Sequence, residues 1–194
     1  MAALDDALLA LAGPLLTSVE ARQSELVARR GLYAVHGEHQ AWQQLGLGEP
    51  PDERPLYIGK AEDSFQARDL KQHFGQGNTG RSSLRRSLAA LLSAELELVP
   101  KPRGVHPLDK TTRAHMFGLE IESDRRLTEW MQSTLCLAFW PCAEVGTIRR
   151  LEREAIARLM PPLCIDGKWK PNSWQRQPIE PARRAMTARV RGMS

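Results

Sequence analysis

Apolar residues recur along this 194-residue chain in two periods, and the points where the period changes mark out its elements. Ala3, Ala7, Leu8 and Leu11 share one helical face, and residues 3 to 29 read as helical with a break at Gly13-Pro14. Two short β-like runs follow, Gly31 to Val35 and Leu56 to Gly59. Between them, a helical piece around Trp42 gives way to a proline-rich loop. Asp63 is placed to cap the next helix, with Gln66 completing a capping box, and Gly75 ends it. Ser82 or Ser83 caps another helix, in which Leu84, Leu88, Leu91, Leu92 and Glu95 keep the 3, 4, 7 spacing. Phe117, Leu119 and Ile121 alternate as a third strand would. The chain is then helical from Thr128, strand-like over 136–140, and strongly helical from Thr147 to Met160, where Pro161-Pro162 stops it. After Trp169 the Pro- and Arg-rich sequence predicts an extended or loosely helical segment. These elements predict an α+β fold, with a small mixed or antiparallel central sheet of about three strands flanked by helices.

One residue breaks the pattern. In the helix 147–160, Ile148, Leu151, Ala155, Ile156 and Leu159 occupy an arc of roughly 140°. Glu152 falls within that arc, while Arg153 and Glu154 point outside it. A carboxylate facing an apolar interior must pair with a cation such as an arginine, hold a proton, or bind a metal ion.

Composition narrows the class. With 42% apolar and 26% charged residues, the chain has an ordinary globular composition, and no apolar run reaches membrane-spanning length. Asp5 and Asp6 near the start, without Lys or Arg, argue against an export signal. The odd trio Cys136, Cys142 and Cys164 lacks zinc-site spacing and fits a reduced, cytoplasmic setting.

Charge is more telling. The net charge is +4, but seven cations against Glu180 make the segment from Lys168 onward +6. A second basic block, with Arg68, Lys71, Arg81, Arg85 and Arg86 against Asp69, lies between Phe65 and Arg86. Two such blocks suit a polyanion such as nucleic acid as well as a solvated charged surface. Just before the second block Lys60 follows the glycine turn at Gly59, and within it Arg68 offers a planar fork that suits phosphate oxygens. His73 either joins that site or pairs with Asp69 on the surface. Both tyrosines, Tyr33 and Tyr57, sit in the two short strands.

Taken in order, these residues resemble the GIY-YIG nuclease superfamily, and in particular a bacterial branch that is mostly uncharacterised. The first motif is Gly31-Leu32-Tyr33, and the second is Tyr57-Ile58-Gly59 followed by Lys60. The family's arginine matches Arg68, a histidine common in its members matches His73, and its metal-binding glutamate matches Glu152. The likeness runs from residue 31 to about 164. It departs from the pattern in a longer gap between the tyrosines, an inserted loop over 36–55 that could touch substrate. It also departs at Cys164, where asparagine is usual. The domain reading is a helical extension over 1–30, a GIY-YIG-like catalytic domain over 31–165 and a basic tail over 166–194.

The resemblance implies an endonuclease that hydrolyses phosphodiester bonds in DNA, or in RNA. One Mg²⁺ or Mn²⁺ would be held by Glu152 and would stabilise the leaving oxygen. Tyr33 would be the general base, Tyr57 would orient water or phosphate, and Arg68 would offset transition-state charge. Lys60 and His73 would contact phosphate or move protons, and Lys71, Arg81 and Arg85 would add to substrate binding. The alternative is a module of the same fold that binds nucleic acid without cutting it.

Overall fold

The computed structural model of the chain describes residues 2–50, 52–103, 113–165 and 177–193. Helix α1 (Ala2–Ala12) ends before Gly13-Pro14 and leads into a two-residue strand β1 (Leu16–Thr17). A short helix α2 (Ser18–Gln23) follows, held by a full capping box between Thr17 and Glu20, and then a 3₁₀ turn (Glu25–Ala28). Strand β2 (Gly31–Gly37) is buried at its first six positions, so its residues form an apolar run without alternation. Helix α3 (His39–Gln44) and strand β3 (Tyr57–Ala61) come next, followed by a π-helical segment (Gln66–His73) and helix α4 (Ser83–Leu91).

The second half has strands β4 (Pro100–Lys101) and β5 (Gly118–Leu119), helix α5 (Ile121–Thr134) and strand β6 (Leu135–Pro141). Helices α6 (Val145–Leu159) and α7 (Ile179–Gly192) complete it. Strands β1, β6, β2 and β3 form one sheet in that order, antiparallel throughout. Four strands stand where about three were expected, because two residues such as Leu16-Thr17 carry no readable period. Helix α1 lies on β2 and β6 and also meets α6, which covers β2 and β3. No described helix is long and apolar enough to cross a membrane.

Three expectations change. The strand read at 117–121 shrinks to Gly118-Leu119 paired with Pro100-Lys101, and Ile121 is the first residue of α5 and largely exposed. Acidic side chains in that first turn, Glu122 and Asp124, favour the positive end of a helix dipole. The segment expected to be extended after Trp169 is helical over 179–192, where Ile179, Met186 and Val190 bury one stripe against α4 and residues 114–116. Pro181 falls in its first turn, where a missing N–H costs little. Residues Lys168, Lys170 and Arg176 lie outside the described part. The third change concerns residues 36–55. Ala41, Trp42, Leu45 and Leu47 of that insertion are buried in the core, and the Trp130 indole N–H donates to Gln44 Oε1 at 3.1 Å.

The packing around α4 depends on a buried cation. Arg85 has no solvent exposure, so the role in substrate contact expected for it is excluded. Its guanidinium donates to Thr79 Oγ1 (3.1 Å), the His73 carbonyl (2.9 Å), Thr128 Oγ1 (2.8 Å) and Asp124 Oδ2 (3.1 Å). Asp124 also accepts from Thr79 Oγ1 and from the Gly77 backbone N–H. Removing one partner of a buried ion pair strands the other, at a cost of about 3–5 kcal/mol. Asp124→Ala is therefore expected to lose stability of about that size in urea unfolding, with unfolding at a correspondingly lower urea concentration.

Candidate functional site

Pairing in the sheet brings the two tyrosines together. Tyr33 of β2 faces Gly59 of β3, and Val35 faces Tyr57, so the tyrosines are diagonal neighbours on one face. Their ring centroids are 6.1 Å apart. Gly59 makes room for this, since a Cβ there would overlap the Tyr33 hydroxyl and ring. His73 completes a triangle of rings, its centroid 5.8 Å from each tyrosine.

The π-helical segment explains how His73 arrives there. Its i→i+5 bonding places residues five apart near one another, whereas α-helical winding would set Arg68 and His73 roughly 140° apart. Ser64 makes the first side-chain contact, accepting from the Ala67 N–H at 3.2 Å, where Asp63 was expected to cap. His73 is fully buried, so the surface-pairing alternative fails; the side chain of Asp69 lies outside the described part. Its Nε2 meets Tyr33 Oη at 2.7 Å and its Nδ1 meets Ser82 Oγ at 2.6 Å. Ser82 is the N-cap of α4 and accepts from the Arg85 N–H at 3.0 Å. Burial, then the charges of Arg68 and Arg85, lower the His73 pKa to about 3, so the ring is neutral near pH 7. One nitrogen then donates and the other accepts. Sequence reasoning missed Ser82 as part of this chain, because its N-cap role already accounted for it.

Alternation sends Ile58 and Lys60 to the opposite face, toward α6. There Lys60 Nζ lies 3.0 Å from Glu152 Oε2 and 3.6 Å from Glu62 Oε1. Arg149 holds Glu62 with two hydrogen bonds, of 2.8 and 2.9 Å, and these chiefly lower its pKa to about 2. Glu152 has 18% of its side chain exposed. It thus departs from the apolar stripe into a cleft, and the cation it meets is a lysine, not an arginine.

That cleft, of about 530 Å³, runs beside β3 and is lined by Tyr57, Lys60, Arg68, Gln72 and Glu152 among others. Gln72 aims Arg68, accepting from its Nη1 at 3.0 Å, and itself donates to the Arg81 carbonyl at 2.9 Å. Tyr57 is at the cleft surface with 9% exposure, whereas Tyr33 has none. Burial above all raises the Tyr57 pKa, with Cys164 and Glu152 adding to the rise and Arg68 and the Tyr33 hydroxyl opposing it. Lys71 and Arg81 line other depressions, and no described residue of the 36–55 insertion lines this cleft.

Cys164 closes the free edge of β3. Its Sγ accepts from the Ile58 N–H at 3.3 Å, and its S–H donates to the Ile58 carbonyl at 3.2 Å. One residue earlier, the Leu163 N–H donates to the Leu56 carbonyl at 2.9 Å. A thiol here serves as both donor and acceptor, as an asparagine amide could.

With this geometry in hand, the comparison with protein families is decisive. Residues 49–184 match the GIY-YIG catalytic domain. The chain belongs to the GIY-YIG catalytic domain family. Members of this family are of nuclease type and act on nucleic acid, and they generally use divalent metal ions. No curated protein and no solved structure matches the chain. The family match begins beyond Tyr33, yet the pairing of β2 with β3 joins that residue to the matched segment.

Two outcomes follow from this packing. Because the unfolded chain protonates His73 near pH 6.5 and the folded one only near 3, stability falls as pH drops through that window. His73→Gln is expected to flatten this slope in urea titrations at several pH values, while buried His36, also lowered by burial, retains part of it. Cys164→Val leaves two backbone groups of Ile58 without partners and is expected to cost about 1–3 kcal/mol, whereas Cys164→Ser recovers most of that stability.

Proposed function

We propose that this domain is an endonuclease that hydrolyses phosphodiester bonds of DNA in the cleft beside β3. The observation that carries this reading is the convergence of Tyr57, Arg68 and Glu152 on one cleft, with Tyr57 backed by Tyr33, His73 and Ser82. Arg68, held in place by Gln72, binds the non-bridging oxygens of the scissile phosphate and offsets the charge that builds up on them. Tyr57 meets the attacking water, because Tyr33 is buried too deeply for the direct contact expected of a general base. Tyr33 instead receives the proton from Tyr57 and passes its own to His73 Nε2. A phosphodiester seated on Arg68 brings negative charge near His73, which opposes the field that keeps the imidazole neutral. Lys60 is a phosphate contact in reach of the same cleft.

The donor set suits one hard divalent cation, Mg²⁺ or Mn²⁺. Among the described residues no group of three or more His, Cys, Asp or Glu side chains is arranged to hold a metal ion. Glu152 shares the open cleft with Asp63 and with Glu62, which Arg149 holds, and so sparse a set of protein oxygens suits an ion that keeps most of its waters. Lys60 Nζ, 3.0 Å from Glu152 Oε2, supports a reading in which this carboxylate faces positive charge. When bound there, such an ion supplies Lewis-acid stabilisation of the leaving oxygen.

Glu152→Gln is expected to abolish Mg²⁺- or Mn²⁺-dependent cleavage while leaving the circular dichroism spectrum unchanged. The assay uses supercoiled, branched and single-stranded DNA, with RNA alongside. Cleavage by this variant equal to wild type under metal titration would overturn the role of Glu152. Salt-sensitive retention of DNA by wild type without any product would favour the non-cleaving module instead.

A further inference from the structure

A second cleft, of about 620 Å³, lies beyond the loop that follows His73. Among the described residues, its charged side chains are Arg81, Lys101, Arg103 and Asp124. Asp124 is almost wholly buried and occupied by Arg85, Thr79 and the Gly77 N–H. The charge presented to a ligand is therefore that of three cations. Gly77, Gly80 and Gly118 also line the cleft, and the aliphatic stems of Arg103 and Lys101 lie against the last two. Gly77 has φ +82°, a conformation that favours glycine, and a Cβ there would meet open space.

The two clefts share a wall. Gln72 lines the first and Arg81 the second, and the Gln72 side chain donates to the Arg81 carbonyl at 2.9 Å. A basic path thus runs from Lys60 and Arg68, across that hydrogen bond, to Arg81, Lys101 and Arg103. The loop between the clefts is also rigidly held. Arg85 ties the His73 carbonyl to Thr79 and Asp124, and Asn78 Nδ2 donates to the Lys71 carbonyl at 2.9 Å. Flexible surface cations would gain little from such a scaffold; a preformed track for a phosphate backbone would gain a fixed register.

We infer that the second cleft binds the sugar-phosphate backbone of the same nucleic acid, on the stretch flanking the phosphate held at Arg68. This rests on the nuclease reading, and it makes the substrate a strand long enough to span both clefts. The contacts are to phosphates, so they supply affinity and register without reading bases.

The test measures binding of fluorescein-labelled single-stranded DNA by anisotropy, in the Glu152→Gln background so that probes stay intact. Lys101→Ala/Arg103→Ala is compared with its parent on probes of about 4 and about 20 nucleotides, over a salt series. On the longer probe, the double variant is expected to bind about tenfold more weakly, with a log–log salt slope flatter by between one and two. On the shorter probe it should match its parent, and its urea midpoint should be unchanged. Equal affinity and slope on the longer probe would overturn the inference, and so would an equal loss on both probes. If the parent binds neither probe, the nuclease reading itself falls and takes this inference with it. If the parent binds both and the double variant binds both as tightly as the parent does, the second cleft alone is refuted.

Discussion

A guanidinium with no access to water must find its hydrogen-bond partners inside the protein, and at Arg85 that need organises both faces of the candidate site. Its partners come from the end of the π-helical segment, from the loop at Thr79 and from α5 at Asp124 and Thr128. None of these segments neighbours another through the backbone alone. The same charge adds to burial and to Arg68 in keeping His73 neutral, so one buried ion pair helps to fix where His73 sits and contributes to its protonation state. Replacing such a pair with apolar groups can leave stability unharmed in other proteins. Here, an apolar replacement would also remove the donor to the His73 carbonyl and the field on its ring.

The two tyrosines are ordered by depth, not by type. Tyr33 lies in a strand covered on both sides, while Tyr57 lies in an edge strand with the cleft beside it. A phenol reached by water and a phenol shielded from it can share a proton path, provided the inner one has a partner. His73 Nε2 is that partner, and Ser82 fixes the far side of the ring. Ser82 thereby serves two purposes with one oxygen, capping α4 and orienting the imidazole.

Much of this arrangement was legible in the chain before any coordinates. Glu152 stood out because a carboxylate within an apolar arc has few acceptable fates, and it does leave the stripe for a cleft. The order Tyr33, Tyr57, Arg68, His73 and Glu152 resembled a known family, and the family match agrees. What stayed hidden has physical causes. A run such as Gln66–His73 carries no period that separates π from α winding, so the meeting of Arg68 and His73 could not be read. Counting cations treated Arg85 like its neighbours, since charge alone does not distinguish a buried ion from a solvated one. In the segment 179–192, Pro and Arg content outweighed a three-residue apolar stripe that the fold uses. Asp63 and Ser64 are both good capping residues, and the backbone path from Arg29, whose carbonyl accepts the Phe65 N–H, favours the serine.

Edge strands normally offer a row of free N–H and C=O groups to which another chain can add. At β3 that row is taken up by Leu163 and Cys164, which hold Leu56 and Ile58 from the outside. A visiting peptide, or a second copy of this chain, therefore finds the ladder already occupied at Leu56 and Ile58, on either side of Tyr57. The cleft beside this stretch thus presents charged side chains and a phenol, with the main chain at Ile58 already engaged from within the same chain.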